Sequence, residues 1–506
     1  MADILVIQLA RFGDFLQTTP LLQGLKAEDR SNRVGVLIDP ANNAVAEKSG
    51  CVDEIINVSV DQLSNVIGAG ADIAENYRAL DAVCRQLSSR YFDLVINLNY
   101  LTVAALLSRI PGAGKILGYT IGKDGAMIKS GWFVFFNHMV KYRVLSPFNL
   151  VDYFYYLYFN RPADQQISFQ VSRADETAAA RLLPAHQPRS GRKMIVIHPG
   201  TRNEMRAWPI SCFSALIDKY LQPKNIDIVL TGSSADRRLV EKIINSVGGE
   251  KNEFIHNLAG KAPLSVMAAI LKRADMLLCA DTGILHLAAA VKTKILALFI
   301  GPASVYSTGP YCDGAVILQT APACAADCIE DMPCRDQKCR TLISPEVVYR
   351  VSLQVLADAR VSAGHCPGVD LLTAKNDGSG ISYEPVSKTV RHQKRRLMHC
   401  CYRRMGTRMM LNGKGRGDID ELMTVSENCS EKKRLSEIFD SGRQVQAKAF
   451  TAGRWLAEER LKPENGFWLP WIDAYIESSE YSDRDAAAYL NALDAGIRYI
   501  GQLARA

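Results

Sequence analysis

Three short segments of the sequence combine charged, hydroxyl and glycine residues in spacings that suit chemistry on an anionic substrate. They are Arg11-Phe12-Gly13-Asp14, HPGTRNEMRAWP at 198–209 and ADTGILHLAAA at 280–290. Each directly follows an apolar run, as expected for a strand that ends in a turn leading into a helix. Open α/β sheets bind ligands beyond the carboxyl ends of their strands, so all three segments fall where a ligand site is expected.

The first segment offers one carboxylate at the start of a helix. Gly13 permits a tight backbone conformation in this turn. Asp14 then has two interpretations: its carboxylate caps the helix, or it lies beside a cleft and accepts a proton from a substrate.

The second segment resembles a phosphate-binding loop in its residue types. Backbone amides near Gly200 and Thr201 could face a phosphate, and Arg206 could add a charge-assisted hydrogen bond. The alternative is an ordinary strand-to-helix loop with an exposed arginine.

The third segment places Asp281 and Thr282 at a helix N-terminus, where Gly283 lets a ligand approach the backbone. His286 follows one and a half turns later. The alternative is an aspartate cap and a hydrogen-bonded core histidine.

The surrounding elements alternate between helices and predicted strands at the N-terminus, 34–38, 193–200, 226–232, 276–280 and 294–301, which predicts parallel, doubly wound sheets. The stretch 132–159 is rich in aromatic residues and is expected to form core and interdomain packing rather than a membrane surface. Residues 160–192 lose their hydrophobic pattern and predict a linker. After residue 361 the chain looks loop-like, then basic, with ten Lys/Arg and no Asp/Glu over 388–416, and then helical to Ala506. The predicted divisions are a first domain at 1–175, a linker at 176–192, a second domain at 193–360 and a basic, mostly helical appendage at 361–506.

Composition agrees with a globular protein of several domains. Of 506 residues, 48% are hydrophobic and 22% charged, so disorder is not indicated. No apolar run reaches the ~20 residues that span a bilayer, and Asp3 and Arg11 flank an N-terminal run that is too short for a signal peptide. A cytoplasmic protein is expected, with its thirteen cysteines mostly reduced. The net charge of +7 suits an anionic partner but does not by itself imply nucleic acid.

The segments ILVIQLARFGDFLQTTPLL, HPGTRNEMRAWP and ADTGILHLAAAVKTKILALFIGP resemble the heptosyltransferase family, glycosyltransferase family nine, over about residues 1–355. The resemblance implies an α/β GT-B fold, with two facing Rossmann-like domains and a cleft between them. It implies transfer of heptose from ADP-heptose to the inner core of lipopolysaccharide, with inversion at the anomeric carbon and no metal or other cofactor.

By motif position, Asp14 matches the family's general base, with Arg11 and Gly13 beside it on the acceptor side. Many family members have lysine where Arg206 stands, and the match of Asp236 to an acidic residue near the donor ribose is loose. The residues that the resemblance assigns to the nucleotide-sugar donor are Thr201, Arg206, Asp236, Asp281, Thr282, Gly283 and His286.

Two features remain open. The cysteines Cys324, Cys328, Cys334 and Cys339 have the spacing C-x3-C-x5-C-x4-C, which differs from the C-x2-C pairs of common zinc sites; ordinary thiols, a metal site and a disulfide are all considered. The basic run could be a solvated helix, or it could contact an anionic glycolipid at the inner face of the inner membrane. Nucleic acid is not expected, since few aromatic residues interleave with the basic ones.

The sequence is therefore compatible with three functions. The first is an inverting transferase that moves heptose to a lipopolysaccharide core or a related glycan. The second is a transferase that uses another nucleotide sugar. The third is a noncatalytic scaffold that binds a nucleotide sugar or a glycan, against which the presence of Asp14 argues.

Overall fold

The computed structural model describes residues 1–61, 73–122, 125–129, 146, 148–183, 192–223, 225–248, 253–321, 334, 336–364, 366–378 and 380–386. One compact unit consists of residues 1–83 and 163–387, and another contains residues 84–162. Among the helices described, none has the length and apolar character needed to cross a bilayer.

The chain begins with parallel strands that carry the first motif. The strands lie in the order β3-β2-β1, with ranges β1 (Asp3–Gln8), β2 (Arg33–Ile38) and β3 (Glu54–Asn57). The helices of this part are α1 (Phe12–Glu28), α2 (Asn43–Ser49) and α3 (Ile73–Ser88). Five of the six residues in β1 and in β2 are buried, as expected for parallel strands covered on both faces. The predicted strands at the N-terminus and at 34–38 are confirmed.

The other unit continues the alternation of strands and helices. Its elements are β4 (Tyr91–Asn97), α4 (Thr102–Leu107), β5 (Gly112–Ile121), β6 (Met127–Lys129) and α5 (Leu150–Phe159). β4 and β5 are parallel, and β6 pairs antiparallel with β5. The aromatic stretch 132–159 was expected to form core packing. This is confirmed for Phe148, Tyr153, Tyr155 and Tyr156, which are fully buried, whereas most of 132–147 lies outside the described residues.

The second sheet carries the other two motifs. Its order is β14-β13-β12-β11-β10-β7-β8-β9, and the strands from β7 to β12 are parallel. The predicted strands at 193–200, 226–232, 276–280 and 294–301 are confirmed. The ranges are β7 (Lys193–His198), α7 (Ile210–Leu221), β8 (Ile226–Leu230), α8 (Arg237–Ser246), β9 (Ile255–Asn257), α9 (Leu264–Arg273), β10 (Met276–Ala280), α10 (Gly283–Ala290), β11 (Ile295–Phe299), α11 (Val305–Thr308), β12 (Val316–Thr320) and α12 (Pro345–Leu356).

The sheet does not end at residue 360, where the sequence predicted the second domain to stop. Strands β13 (Val369–Asn376) and β14 (Ile381–Pro385) form an antiparallel hairpin that pairs with β12. The expectation of loops in GHCPGVD and AKNDGSGISYEP is therefore wrong for Val369–Asn376 and Ile381–Pro385, which are strands, whereas residues 366–368 and 377–378 do form loops and turns. The hairpin is held by burial of Leu371, Leu372 and Tyr383, and Gly378 and Gly380 take the positive φ angles of the turn.

The predicted linker at 176–192 also begins differently than expected. Helix α6 (Arg173–Leu182) runs through its first part, with a capping box formed by Ser172 and Asp175. Residues 184–191 lie outside the described residues. The predicted appendage from residue 387 to the end lies outside them as well, so its helical character stays a prediction.

Candidate active site

The first turns of helices α1 and α10 pack against each other. A β-carbon on Gly13 would lie 2.9 Å from the Cα of Gly283, and one on Gly283 would lie 2.3 Å from the Phe12 ring. Such distances leave no space for a side chain, so this approach requires glycine at both positions. Each helix N-terminus carries partial positive charge and backbone N–H groups. Backbone N–H groups of both helices therefore lie near this contact, and such groups at a helix start can bind an anion.

Asp14 lies in the first turn of α1, beside this contact. Its Oδ2 accepts a hydrogen bond from the Arg11 backbone N–H at 3.2 Å, so the capping interpretation from the sequence holds. The same residue is only half-buried, while Arg11 is exposed. Asp14 thus caps α1 and still presents part of its surface to solvent, as a proton acceptor for a bound substrate must.

Arg206 and Asp281, from the second and third motifs, form a buried ion pair. Arg206 ends a 3₁₀ turn after β7, and its Nη1 donates to Asp281 Oδ2 at 2.9 Å. The Thr308 hydroxyl at the end of α11 donates to the same oxygen at 3.2 Å. The side chains of Arg206 and Asp281 are 11% and 7% exposed, so neither charge is screened strongly by water. Arg206 is therefore a fixed cation and not the exposed arginine of the alternative interpretation.

The two predicted threonines turn their hydroxyl groups toward their own loops. Thr201 Oγ1 donates to the Asn203 carbonyl oxygen at 2.8 Å, and Thr282 Oγ1 lies 3.4 Å from the Ala280 carbonyl oxygen. A hydroxyl has one proton to donate. Either threonine would have to rotate its hydroxyl before donating to a phosphate oxygen.

His286 is buried in α10, next to the contact between the two helices. Its Cδ2 would lie 3.4 Å from a β-carbon on Gly13, and its Nδ1 has no hydrogen-bond partner among the described residues. Burial lowers the pKa of this imidazole to about 4. His286 is therefore neutral at pH 7, and the expectation of a fully hydrogen-bonded core histidine does not describe it.

Asp236 lies over the loop that follows β7. Its Oδ2 accepts hydrogen bonds from the Ser233 backbone N–H and hydroxyl, both at 2.7 Å, and so forms a capping box before α8. A β-carbon on Gly200 would lie 2.5 Å from Asp236 Oδ1. Asp236 is thus brought to the second motif, although its carboxylate already has a structural role in capping.

Two of the four clustered cysteines lie within the described residues. Cys324 and Cys328 lie outside the described residues, whereas Cys339 is buried and Cys334 is half-buried. Within the described ranges, no three His, Cys, Asp or Glu side chains are grouped closely enough to hold a metal ion. The role of the four cysteines stays a prediction.

Sequence reasoning missed four residues that shape the site. His198, at the end of β7, has a buried Nδ1 with no hydrogen-bond partner among the described residues. Burial lowers its pKa to about 4, although the negative charge of Asp236 acts to raise it. A sequence signal existed for His198, because it directly precedes Pro199 and Gly200 at a strand end. Phe12, Thr308 and Arg340 offered no such signal, since only packing brings them to these loops.

Known proteins share both sequence and fold with this chain. A family model described as glycosyltransferase family 9 (heptosyltransferase) matches residues 80–339. Lipopolysaccharide heptosyltransferase 3 of Escherichia coli (strain K12) is 27% identical over 301 residues, which cover 57% of this chain and 79% of that protein.

Two solved structures resemble the chain in fold. The glycosyl transferase family 9 protein from Veillonella parvula DSM 2008 has a TM-score of 0.56 at 20% identity and covers 71% of this chain and 98% of its own. ADP-heptose lps heptosyltransferase II of E. coli has a TM-score of 0.51 at 18% identity and covers 70% of this chain and 99% of its own. The expected α/β GT-B fold is confirmed. Because the family model spans more than half of the 506 residues, the chain belongs to glycosyltransferase family 9, the heptosyltransferase family, and is a glycosyltransferase.

Proposed function

We propose that this glycosyltransferase moves heptose from ADP-heptose to a saccharide of the lipopolysaccharide core, with inversion at the anomeric carbon and without a metal. One observation carries the proposal. The first turn of α1, with Asp14, packs against the first turn of α10, which begins two residues after Asp281, the partner of Arg206. A proton acceptor and a cation of fixed position thus both lie next to the contact between α1 and α10.

In the proposed reaction, the acceptor hydroxyl oxygen forms a bond to the anomeric carbon as the bond from that carbon to the diphosphate breaks. The hydroxyl proton passes to the Asp14 carboxylate, and ADP leaves with the electron pair of the broken bond. An aspartate is a weak base, which suffices when the proton leaves late, after the sugar has become oxocarbenium-like.

Negative charge grows on the diphosphate as the bond breaks. We assign its stabilisation to Arg206 and to the N-terminal amides of α10. The guanidinium of Arg206 has five N–H donors, so one nitrogen can stay on Asp281 while the others address phosphate oxygens. Asp281 then acts as a positioning residue for Arg206 as well as a neighbour of the donor.

The remaining assignments follow the same division. Residues 1–175 serve the acceptor, and residues 193–360, extended by β13 and β14, serve the donor. Names of relatives support this substrate pair: lipopolysaccharide heptosyltransferase 3 is one relative, and ADP-heptose lps heptosyltransferase II shares the fold. A cytoplasmic location, with peripheral contact of the basic run at the inner membrane, belongs to the same proposal.

The test is a panel of nucleotide sugars given to the purified full chain, with release of nucleotide as the readout. ADP-heptose and a heptose-deficient lipopolysaccharide core should release ADP faster than ADP-glucose, UDP-glucose or GDP-mannose with the same acceptor. Faster release from another donor would identify a transferase with a different nucleotide sugar. Binding without release from any donor would indicate the noncatalytic scaffold.

The Asp14→Asn variant serves as the matched control for this panel. An asparagine side chain can still accept the Arg11 N–H bond but cannot accept the acceptor's proton. Nucleotide release that depends on both the saccharide acceptor and Asp14 excludes simple hydrolysis by a contaminant.

A further inference from the structure

Arg340 contacts the loop that carries Arg206. It belongs to a short 3₁₀ turn, Lys338–Thr341, that precedes α12. Its Nε donates to the Ala207 carbonyl oxygen at 3.0 Å, and its Nη1 donates to Gln337 Oε1 at 2.8 Å. The same Nη1 lies 3.2 Å from Glu204 Oε1. Arg340 thus contacts the chain on both sides of Arg206.

These contacts differ in strength. The side chain of Glu204 is 82% exposed, so its ion pair with Arg340 contributes little. Arg340 itself is only 19% exposed, and the bond from its charged Nε to the Ala207 carbonyl is sheltered. The bond to Ala207 is therefore the stronger contact, and it fixes the backbone one residue after Arg206.

Two other contacts hold the same loop. The Trp208 indole Nε1 donates to the Ile343 carbonyl oxygen at 2.9 Å. Gly301 has φ of +61°, and a β-carbon on it would lie 2.6 Å from the Met205 carbonyl oxygen. The backbone of residues 205–208 is therefore held by contacts with Arg340, Gly301 and Ile343, while the Arg206 side chain extends to Asp281.

We propose that Arg340 is a positioning residue that sets the conformation of the 204–207 turn and thereby the direction of the Arg206 guanidinium toward a nucleoside diphosphate. The inference rests on the proposed function for its ligand. The Arg206 guanidinium must stay hydrogen-bonded to Asp281 while it also donates to phosphate oxygens. Because its donors form a rigid fork, the position of the Arg206 backbone can change only little.

The test compares three variants of the full chain with the unchanged protein: Arg340→Ala, Arg340→Lys and Arg350→Ala. Arg350→Ala is the matched control, because Arg350 also donates from a guanidinium to a backbone carbonyl, that of Ala363, which does not belong to this loop. Two readouts are used: amide hydrogen exchange of the peptide covering 203–208, and calorimetric affinity for ADP.

Arg340→Ala should speed exchange in 203–208, where Met205, Arg206 and Ala207 amides are all hydrogen-bonded within the turn. It should weaken ADP binding by about tenfold, the size expected for one charge-assisted hydrogen bond. In both readouts, Arg340→Lys should give values between those of the unchanged protein and of Arg340→Ala, since an ammonium is a point charge that cannot reproduce the planar fork. Arg350→Ala should leave both readouts unchanged even where it lowers the melting temperature.

A double variant separates positioning from general destabilisation. If Arg340 acts through Arg206, adding Arg340→Ala to Arg206→Ala causes no further loss of ADP affinity, because the residues are coupled. Additive losses, or unchanged exchange and affinity in Arg340→Ala, would overturn the inference. If the unchanged chain failed to bind ADP, the proposed function would fail, while the exchange of 203–208 would still decide whether Arg340 holds the turn.

Discussion

Arg206 and Asp281 are 75 residues apart in the chain, yet Arg206 Nη1 lies 2.9 Å from Asp281 Oδ2. The sequence assigned both residues to a nucleotide-sugar donor, each as a separate contact. The structure brings them together as one unit in which Asp281, held also by Thr308, fixes the cation.

Arg206→Ala should weaken binding of ADP and of the nucleotide sugar alike, because its hydrogen bonds address the phosphates. It should also lower stability by roughly 3 kcal/mol, since Asp281 is left as an uncompensated buried charge. Arg206→Lys, matching many family members, should keep the ion pair and lose less affinity. Calorimetry with ADP and thermal melting measure both effects, and unchanged ADP affinity in Arg206→Ala would remove Arg206 from the donor site.

Asp14→Asn should leave ADP affinity intact and slow transfer by at least ~10²-fold, the effect of losing a general base. Its melting temperature should change little, because the asparagine Oδ1 can still accept the hydrogen bond from the Arg11 backbone N–H. Steady-state rates at saturating donor and acceptor are the measurement. Near-normal turnover would restrict Asp14 to its capping bond with Arg11.

Gly283→Ala should disturb the contact between α1 and α10, since the new methyl group would meet the Phe12 ring. We expect lower stability by about 1–3 kcal/mol and a clear loss of transfer activity. Gly35→Ala in β2 is the matched control, because its β-carbon would meet no atom closer than 3.7 Å. Equal behaviour of the two variants would argue against close packing of the two helix N-termini.

Stability should fall as pH decreases from about 6.5 to about 4. Burial holds the pKa of His286 and of His198 at about 4 in the folded protein, while an unfolded histidine titrates near 6.5. In this window the unfolded chain binds more protons than the folded one, so each histidine removes up to roughly 3 kcal/mol. The contribution is fully present above pH 6.5.

The check is the melting temperature measured from pH 7.5 to 4.5 for the unchanged chain and for His286→Met. The variant should lose part of the pH dependence. The stability contributed by Asp175 and Asp53, whose pKa values are lowered in the folded protein, is lost mainly below about pH 4 and so affects this window little. A pH dependence identical in both proteins would contradict the burial argument for His286.

Truncation should be tolerated after residue 386 but not after residue 362. The shorter protein lacks β13 and β14, which exposes the edge of β12 and removes the buried Leu371 and Leu372. The 1–386 chain should melt as the full chain does and bind ADP equally well. Loss of ADP binding in a folded 1–386 protein would mean that residues beyond 386 help to form the site.

The same truncation tests the basic run. The full chain should bind liposomes that contain anionic lipid, and binding should decrease strongly between 50 and 300 mM salt, whereas 1–386 should not bind. Equal binding by both proteins would leave residues 388–416 as a solvated segment.

The sequence by itself determined the alternation of strands and helices, the places where the three motifs fall and the family. It could do so because these depend on local periodicity and on short spacings along one strand–turn–helix segment. It did not determine the hairpin β13–β14, although Gly378 and Gly380 marked its turn, because apolar residues in a short stretch gain their strand character only from pairing with β12.

Only the tertiary structure decided which residues act together. Three contacts each join segments at least 75 residues apart: Arg206 with Asp281, the Phe12 ring with Gly283, and Arg340 with Ala207. No spacing rule reaches that far, since such contacts depend on how the whole chain packs. Burial likewise decided that His198 and His286 are neutral, because desolvation of a side chain depends on every element that covers it.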